Sequence, residues 1–270
     1  MTQLPMARLP VGWQPATDTL AARVILVTGA YGGLGSAVVR AAMRSGATVV
    51  ITGKRKRQLE KMFDALREEG LGEPVIHPLD MEAATPKDYS ALAEGLERDF
   101  ARLDGIVHCA ASFVGLTPLA MHRPDDWLRA MHVNVNAPFA LTQACMPLLT
   151  RASDSAAVFV LDAPELMQRA HWGGYGVSKA ALERLVAILH EETDESALRV
   201  HAMLPAPMRT ALRRLAYFGE DIMQQPTPDA AADAAVYLLS AQARAARGAV
   251  LDLRPEQPSG IVAWPEPASV

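Results

Sequence analysis

The chain has 270 residues, is 50% hydrophobic and 21% charged, and carries a net charge of −4 at neutral pH. That length and apolar content suffice for one large α/β domain, and the mild negative charge excludes nucleic acid and anionic membranes as electrostatically favoured partners. The two cysteines, Cys109 and Cys145, lack metal-ligand spacing and cannot form a disulfide framework, so a soluble, cytoplasmic protein that binds no metal and acts on a small molecule is expected.

The opening MTQLPMARLPVGWQP has no basic segment followed by an apolar run, and no stretch of about 18 apolar residues occurs, so neither a signal peptide nor a membrane span is predicted. Residues 1–20, with Pro5, Pro10, Gly12 and Pro15, are read as a surface extension. Short apolar runs follow at 23–28, 47–52, 74–79, 105–110, 156–161, 199–204 and 248–253, and between them lie helical segments near 33–45, 55–69, 87–101, 124–150, 174–192 and 228–241. Seven buried runs alternating with helices long enough for right-handed crossovers predict a parallel sheet covered on both faces. Residues 205–227 are too long for an ordinary βα loop and are read as a lid over a site. The last segment, 255–270, contains Pro255, Pro258, Pro265 and Pro267 and is read as a second surface extension, leaving 21–254 as the folded domain.

The first run leads into TGAYGGLG (28–35), which places Gly29, Gly33 and Gly35 between a strand and a helix. Gly29 permits a tight turn, Gly33 lets backbone approach a pyrophosphate, and Gly35 allows the helix to pack closely, while the helix N-terminus offers oriented N–H groups. The fold expected is therefore a single doubly wound domain of Rossmann type that binds a dinucleotide. No Asp or Glu occurs between Gly35 and Glu60 to accept from a ribose 2′-hydroxyl; Lys54, Arg55, Lys56 and Arg57 stand there instead, at a helix start whose dipole disfavours cations. A 2′-phosphate would compensate them, which points to NADP(H) with Lys54 and Arg55 as phosphate contacts; a solvated basic helix start is the competing reading.

Tyr175 and Lys179 are four apart on a predicted helix and share a face. An ammonium beside a phenol stabilises the phenolate, so Lys179 is expected to lower the pKa of Tyr175 toward working pH and make it a usable general acid. His108, His132, His171 and His201 are scattered without metal spacing and are read as structural, with His171 and Trp172 kept as candidate substrate contacts. Met203, Met208 and Phe218 are read as core or lid underside.

With TGAYGGLG at 28–35, Leu79-Asp80, HCAA at 108–111, VNV at 133–135, YGVSK at 175–179 and PAPMRT at 205–210, the chain resembles the short-chain dehydrogenase/reductase family over roughly residues 20–254. It is most similar to bacterial oxidoreductases assigned as oxoacyl-carrier-protein reductases. The resemblance implies hydride transfer from a nicotinamide, the sheet order 3-2-1-4-5-6-7, and an Asn, Ser, Tyr, Lys tetrad. It makes Tyr175 the proton donor, Lys179 a ligand of the nicotinamide ribose, Asn134 the holder of a relay water and Asp80 an adenine contact. It also implies a cofactor-binding set of Thr28, Gly29, Tyr31, Gly33, Leu34, Gly35, Lys54, Arg55, Asp80, Met81, Cys109, Ala110, Ala111, Tyr175, Lys179, Pro205 and Ala206. A homodimer or homotetramer is implied too, through pairing of the helices at 124–150 and 174–192.

The departure lies thirteen positions before Tyr175, where the family has serine and this chain has Asp162; neither Leu161 nor Ala163 offers a hydroxyl, and Ser155 is too far upstream. A serine can donate to a carbonyl, whereas an ionised aspartate only accepts and repels a nascent oxyanion. Asp162 suits a substrate with N–H donors or a positively charged imine nitrogen, and is expected to orient it. The pteridine reductases of the family resemble this chain at that position and in the CAASF stretch at 109–113. Cys109, Ala111 and Ala206 also replace the motif residues of the family, two of them glycines, and reduce backbone freedom near the nicotinamide. Three readings stay open: a carbonyl reductase, a pterin or imine reductase that uses Asp162, and a catalytically silent NADP(H)-binding protein.

Overall fold

The computed structural model describes residues 4–255. Eight parallel strands form one sheet: β1 (Met6–Ala7), β2 (Val24–Thr28), β3 (Thr48–Ile51), β4 (Val75–Ile76), β5 (Gly105–His108), β6 (Ser155–Val160), β7 (Leu198–Leu204) and β8 (Val250–Asp252). Their order is β1-β8-β7-β6-β5-β2-β3-β4. Without β1 this is the expected order of seven, and the eighth strand is a correction. Met6 pairs with Val250 and Ala7 with Leu251. Two residues flanked by prolines carry no period, so nothing local announces that strand. Residues 1–20 are therefore not simply a surface extension: Leu20 is fully buried and Trp13 packs edge-on against Tyr237 at 5.2 Å between ring centroids. The expected extension at 255–270 lies, apart from its first residue, outside the described residues.

The helices are α1 (Gly33–Arg44), α2 (Lys56–Glu68), α3 (Pro86–Phe100), α4 (Pro124–Met131), α5 (Ala137–Arg151), α6 (Pro164–Met167), α7 (Gly173–Thr193), α8 (Ala211–Ala216) and α9 (Asp229–Leu239). Side chains of α1, α2 and α9, among them Val38, Leu59, Leu66 and Leu238, cover one face of the sheet. Tyr89, Leu92, Leu141, Leu148, Leu182 and Val186 of α3, α5 and α7 cover the other. Burying each such aliphatic side chain contributes about 1.5–3 kcal/mol, which is why the strands read as unbroken apolar runs rather than alternating ones. Among the described residues, no helix is long and apolar enough to cross a membrane.

The segment 124–150, expected as one helix, is interrupted by a π turn over His132–Asn136. Pro138 has no N–H to give to the carbonyl of Asn134 four residues earlier, so the regular ladder fails there and the chain takes a wider turn. The strand order reverses between β2 and β5, which opens a crevice at the carboxyl ends of the strands. The glycine motif leaves β2 at that crevice, and Asp162 and the start of α7 follow β6 along the same edge.

Candidate active site

The glycine motif is held by backbone packing. A Cβ added to Gly35 would lie 2.2 Å from the carbonyl oxygen of Gly29, and one on Gly29, whose φ is +60°, would lie 2.8 Å from Cα of Ala110. Thr28 is fully buried and its Oγ1 accepts from the amide of Ala110 at 3.1 Å, tying the motif to the 109–111 loop after β5. A Cβ on Gly33 would meet Thr210 of the 205–227 segment at 3.0 Å. Helix α1 starts at Gly33 with no side-chain cap and no acid in its first turn. Its first amides are therefore open to an oxygen-rich anion, and the cradle fits a pyrophosphate.

At the end of β3 the cations are not all unpaired. Lys54 Nζ donates to Glu82 at 2.6 Å and lies 3.8 Å from Asp80, and Glu82 holds the ammonium above its ordinary pKa. Lys56 pairs with Glu60 at 3.6 Å on the exposed face of α2. Arg55 and Arg57 have no ion pair among the described residues. The amide of Arg55 donates to Tyr31 Oη at 3.2 Å, and the Tyr31 ring lies against Gly53, where a Cβ would approach it to 2.7 Å. Asp80 Oδ1 accepts from the amide of Glu82 at 3.0 Å. Leu34 and Met81 are buried, Cys109, Ala110, Pro205 and Ala206 are half-buried, and Ala111 is exposed.

The reactive side chains meet as the motifs predict, but their electrostatics do not. Tyr175 Oη donates to Asp162 Oδ2 at 2.8 Å, while Asp162 Oδ1 accepts from the amide of Ala163 at 2.8 Å. Lys179 Nζ donates to the carbonyl of Val160 at 2.8 Å and sits 5.5 Å from the Tyr175 ring centroid. Burial, and then the adjacent Asp162 carboxylate, push the Tyr175 phenol well above 10.0. Burial pulls Lys179 down to about 8 against the opposing effects of Asp162 and Cys109. The expectation that Lys179 lowers the tyrosine pKa is thus overturned: the ammonium is itself desolvated, and the carboxylate is the group in contact with the phenol. Burial also pushes the Cys109 thiol up to about 12, so it presents no thiolate to the crevice.

Asn134 is buried in the π turn, where Nδ2 donates to the carbonyl of Ser112 at 3.0 Å and to Ser178 Oγ at 2.9 Å, and Oδ1 accepts from the amide of Ser112 at 2.7 Å. Both amide protons are consumed in joining the 109–113 loop to α7. Ser178 completes the link by donating to the carbonyl of Tyr175 at 2.7 Å. Its place inside YGVSK was the only sequence signal for this role, since a serine in a helix interior commonly turns its hydroxyl onto a carbonyl one turn back.

Aromatic rings enclose Tyr175. Phe113 lies 5.0 Å and Trp172 5.9 Å from its centroid, Phe113 stacks on Trp172 at 5.5 Å, and Tyr217 meets Trp172 edge-on at 6.2 Å. Of these, Tyr217 carried no sequence signal as a site residue. It is brought in by α8, where Arg213 lies over its ring at 4.5 Å and forms a two-pronged pair with Glu220 at 2.7 and 2.8 Å. The segment 205–227 is thus ordered, with the Arg209 amide donating to Pro226 O at 2.7 Å and its guanidinium to Met223 O at 3.0 Å. Ala216 buries itself against Met167, Trp172 and Tyr175. The cavity between the 112–122 loop and the start of α7 measures about 10 Å³, the room of one water. His171, with φ of +77°, borders this cavity and accepts from the amide of Thr117 at 2.8 Å through its carbonyl.

The sequence profile of the family described as short chain dehydrogenase matches residues 23–217. The uncharacterized oxidoreductase YciK of Escherichia coli (strain K12) is 34% identical over 249 residues, 92% of this chain and 98% of that protein. A short chain dehydrogenase from Shigella flexneri 2a str. 301, solved in complex with NADP, is 33% identical, with 88% of this chain and 99% of that one covered at a TM-score of 0.84. One from Escherichia coli CFT073 in complex with NADPH is 34% identical, with 89% and 100% covered at a TM-score of 0.85.

Proposed function

The chain belongs to the short chain dehydrogenase family of oxidoreductases, and from that premise we propose that it uses NADP(H) to reduce a C=O or C=N bond of a small molecule. The observation that carries the reading is the placement of Tyr175, Lys179 and Asp162 together at the carboxyl edge of the sheet, beside an uncapped helix N-terminus that only glycine backbone can approach. The dinucleotide, when bound, supplies the hydride. NADP rather than NAD is supported by the absence of an acid between Gly35 and Glu60, by Arg55 beside Tyr31, and by the NADP and NADPH held in the two related structures.

Gly29, Gly33, Leu34 and Gly35 hold the pyrophosphate through main-chain amides, with Thr28, Tyr31, Met81, Cys109, Ala110, Ala111, Pro205 and Ala206 shaping the walls. Asp80 borders the adenine and Arg55 the 2′-phosphate. Lys179 orients the nicotinamide ribose. Tyr175 is the proton donor at its Oη, and Asn134 with Ser178 fixes the helix that carries it. Substrate enters when α8 lifts away from Tyr175, which makes 205–227 a lid.

Asp162 favours a C=N substrate over a ketone. Its Oδ2 already accepts the phenol proton, so an oxyanion developing there would face a carboxylate, whereas an iminium nitrogen would be attracted to it. The faces of Phe113, Trp172 and Tyr217 add to that attraction for a flat cation. Exposed Leu128, Phe139, Val177 and Ile188 on α4, α5 and α7 support pairing of copies into a homodimer or homotetramer.

The test is NADPH oxidation by wild type and Asp162→Ser against dihydropterins, cyclic imines and short 3-oxoacyl esters. Wild-type turnover of a pterin or imine, lost in Asp162→Ser, is the expected result. A wild type inert throughout, with ketone reduction gained by Asp162→Ser, would mean instead that the chain binds the cofactor without turning substrate over.

A further inference from the structure

His122 belongs to none of the motifs and takes part in no hydride or proton step, yet it touches the start of the catalytic helix. It follows the short turn Leu119–Met121, and its half-buried ring meets Trp127 of α4 edge-on at 6.0 Å. Its other side lies on the glycine pair that opens α7: a Cβ on Gly173 would come within 2.9 Å of the ring, and one on Gly174 within 3.1 Å. His122 Nε2 is 3.0 Å from the backbone nitrogen of Gly174. A backbone amide can only donate, so Nε2 must present a lone pair and the ring must be the neutral tautomer with its proton on Nδ1. The amide satisfied in this way is one of the four at a helix start that find no partner within the helix, and it belongs to the residue just before Tyr175.

We propose that His122 is a positioning residue for Tyr175 and Lys179, anchoring the first turn of α7 when its imidazole is neutral and releasing it when protonated. Protonation converts Nε2 from acceptor to donor, leaves the Gly174 amide without a partner, and sets a cation against the positive end of the α7 dipole. The charged and titratable groups around the ring do not replace that contact. Arg123 and Asp125 pair with each other at 3.9 Å, and Asp126 of α4 pairs with Arg129 at 3.2 Å. From the loop before α7 comes His171, and from α7 itself Tyr175, whose Oη is turned to Asp162. The inference rests on the hydride-transfer reading for its catalytic consequence only; the anchoring is a property of the fold.

Deuterium uptake by the peptide spanning Gly173–Lys179 tests it in the full-length protein without substrate or cofactor. Wild type, His122→Gln and His122→Phe are compared at matched pH, at about pH 5 and about pH 8, the interval across which histidine changes charge. Glutamine offers a carbonyl acceptor that does not titrate. At the higher pH, wild type and His122→Gln should exchange alike, and His122→Phe roughly tenfold faster, as expected for loss of one terminal hydrogen bond. At the lower pH wild type should join His122→Phe while His122→Gln stays protected. Equal uptake by wild type and His122→Gln at the lower pH overturns the proposal, even if the phenylalanine variant fails to fold. Because no turnover is read, this outcome is independent of whether the hydride-transfer reading stands.

Discussion

At Gly35 the obstacle to a side chain is the carbonyl oxygen of Gly29, 2.2 Å from where a Cβ would sit; at Asp162 the neighbour is a phenol, held at 2.8 Å by one hydrogen bond. The first contact is backbone against backbone and has one solution. The second joins two titratable side chains and has several, set by protonation, rotamer and whatever substrate intervenes. The cradle therefore tolerates almost no chemical change, whereas the reactive cleft can be retuned by a single substitution without disturbing the fold.

The contrast can be broken most directly at the cradle. Gly35→Ala forces backbone apart and should destabilise the protein by about 3 kcal/mol or more in urea unfolding; an unchanged midpoint would show that the motif yields. At the reactive side, Tyr175→Phe keeps the ring packing against Phe113 and Trp172 but removes the hydroxyl proposed as proton donor. It should lower kcat/KM roughly 100-fold, with stability altered by about 1 kcal/mol at most.

Lys179 sharpens the comparison through pH. Its pKa is lowered to about 8 by burial, so between about pH 8 and the unfolded value of 10.5 the unfolded chain binds more protons than the native one. Stability from this group therefore rises with pH across that window, and the desolvation penalty, of order 3 kcal/mol, is fully present below it. Lys179→Met should accordingly raise the midpoint of thermal unfolding at pH 7 and flatten its pH dependence above 8, while abolishing turnover. A lower midpoint would mean that the hydrogen bond to Val160 outweighs desolvation. The smallest effect is expected at the basic turn. Lys54 is already neutralised by Glu82 and Asp80, so Arg55→Ala should weaken NADPH binding about tenfold and Lys54→Ala by less, as read by fluorescence titration.

Much of this was legible in the chain itself. The seven apolar runs fell within one or two residues of β2 to β8, except that the run at 74–79 shortened to Val75–Ile76 because Pro74 and Pro78 flank it. The six expected helices match α1, α2, α3, α4 with α5, α7 and α9. The glycine motif sits between β2 and α1, and Tyr175 and Lys179 share α7. These features follow from local rules: period, turn chemistry and residues defined by what they lack.

The sequence by itself determined the layered architecture, the position of the glycine motif between β2 and α1, and the placing of Tyr175 and Lys179 on one helix, because each depends on neighbours within a few residues along the chain. Tertiary structure alone decided that Met6–Ala7 adds an eighth strand, that Glu82 reaches Lys54, that Tyr217 closes on Trp172, that His122 holds the Gly174 amide, and that burial, with the Asp162 carboxylate against the phenol, gives the Tyr175 pKa a net rise instead of the fall expected from Lys179. The sign of that last effect depends on distance and burial. Both are set by the packing of α7 and α8 against the edge of β6, and no spacing along the chain encodes them.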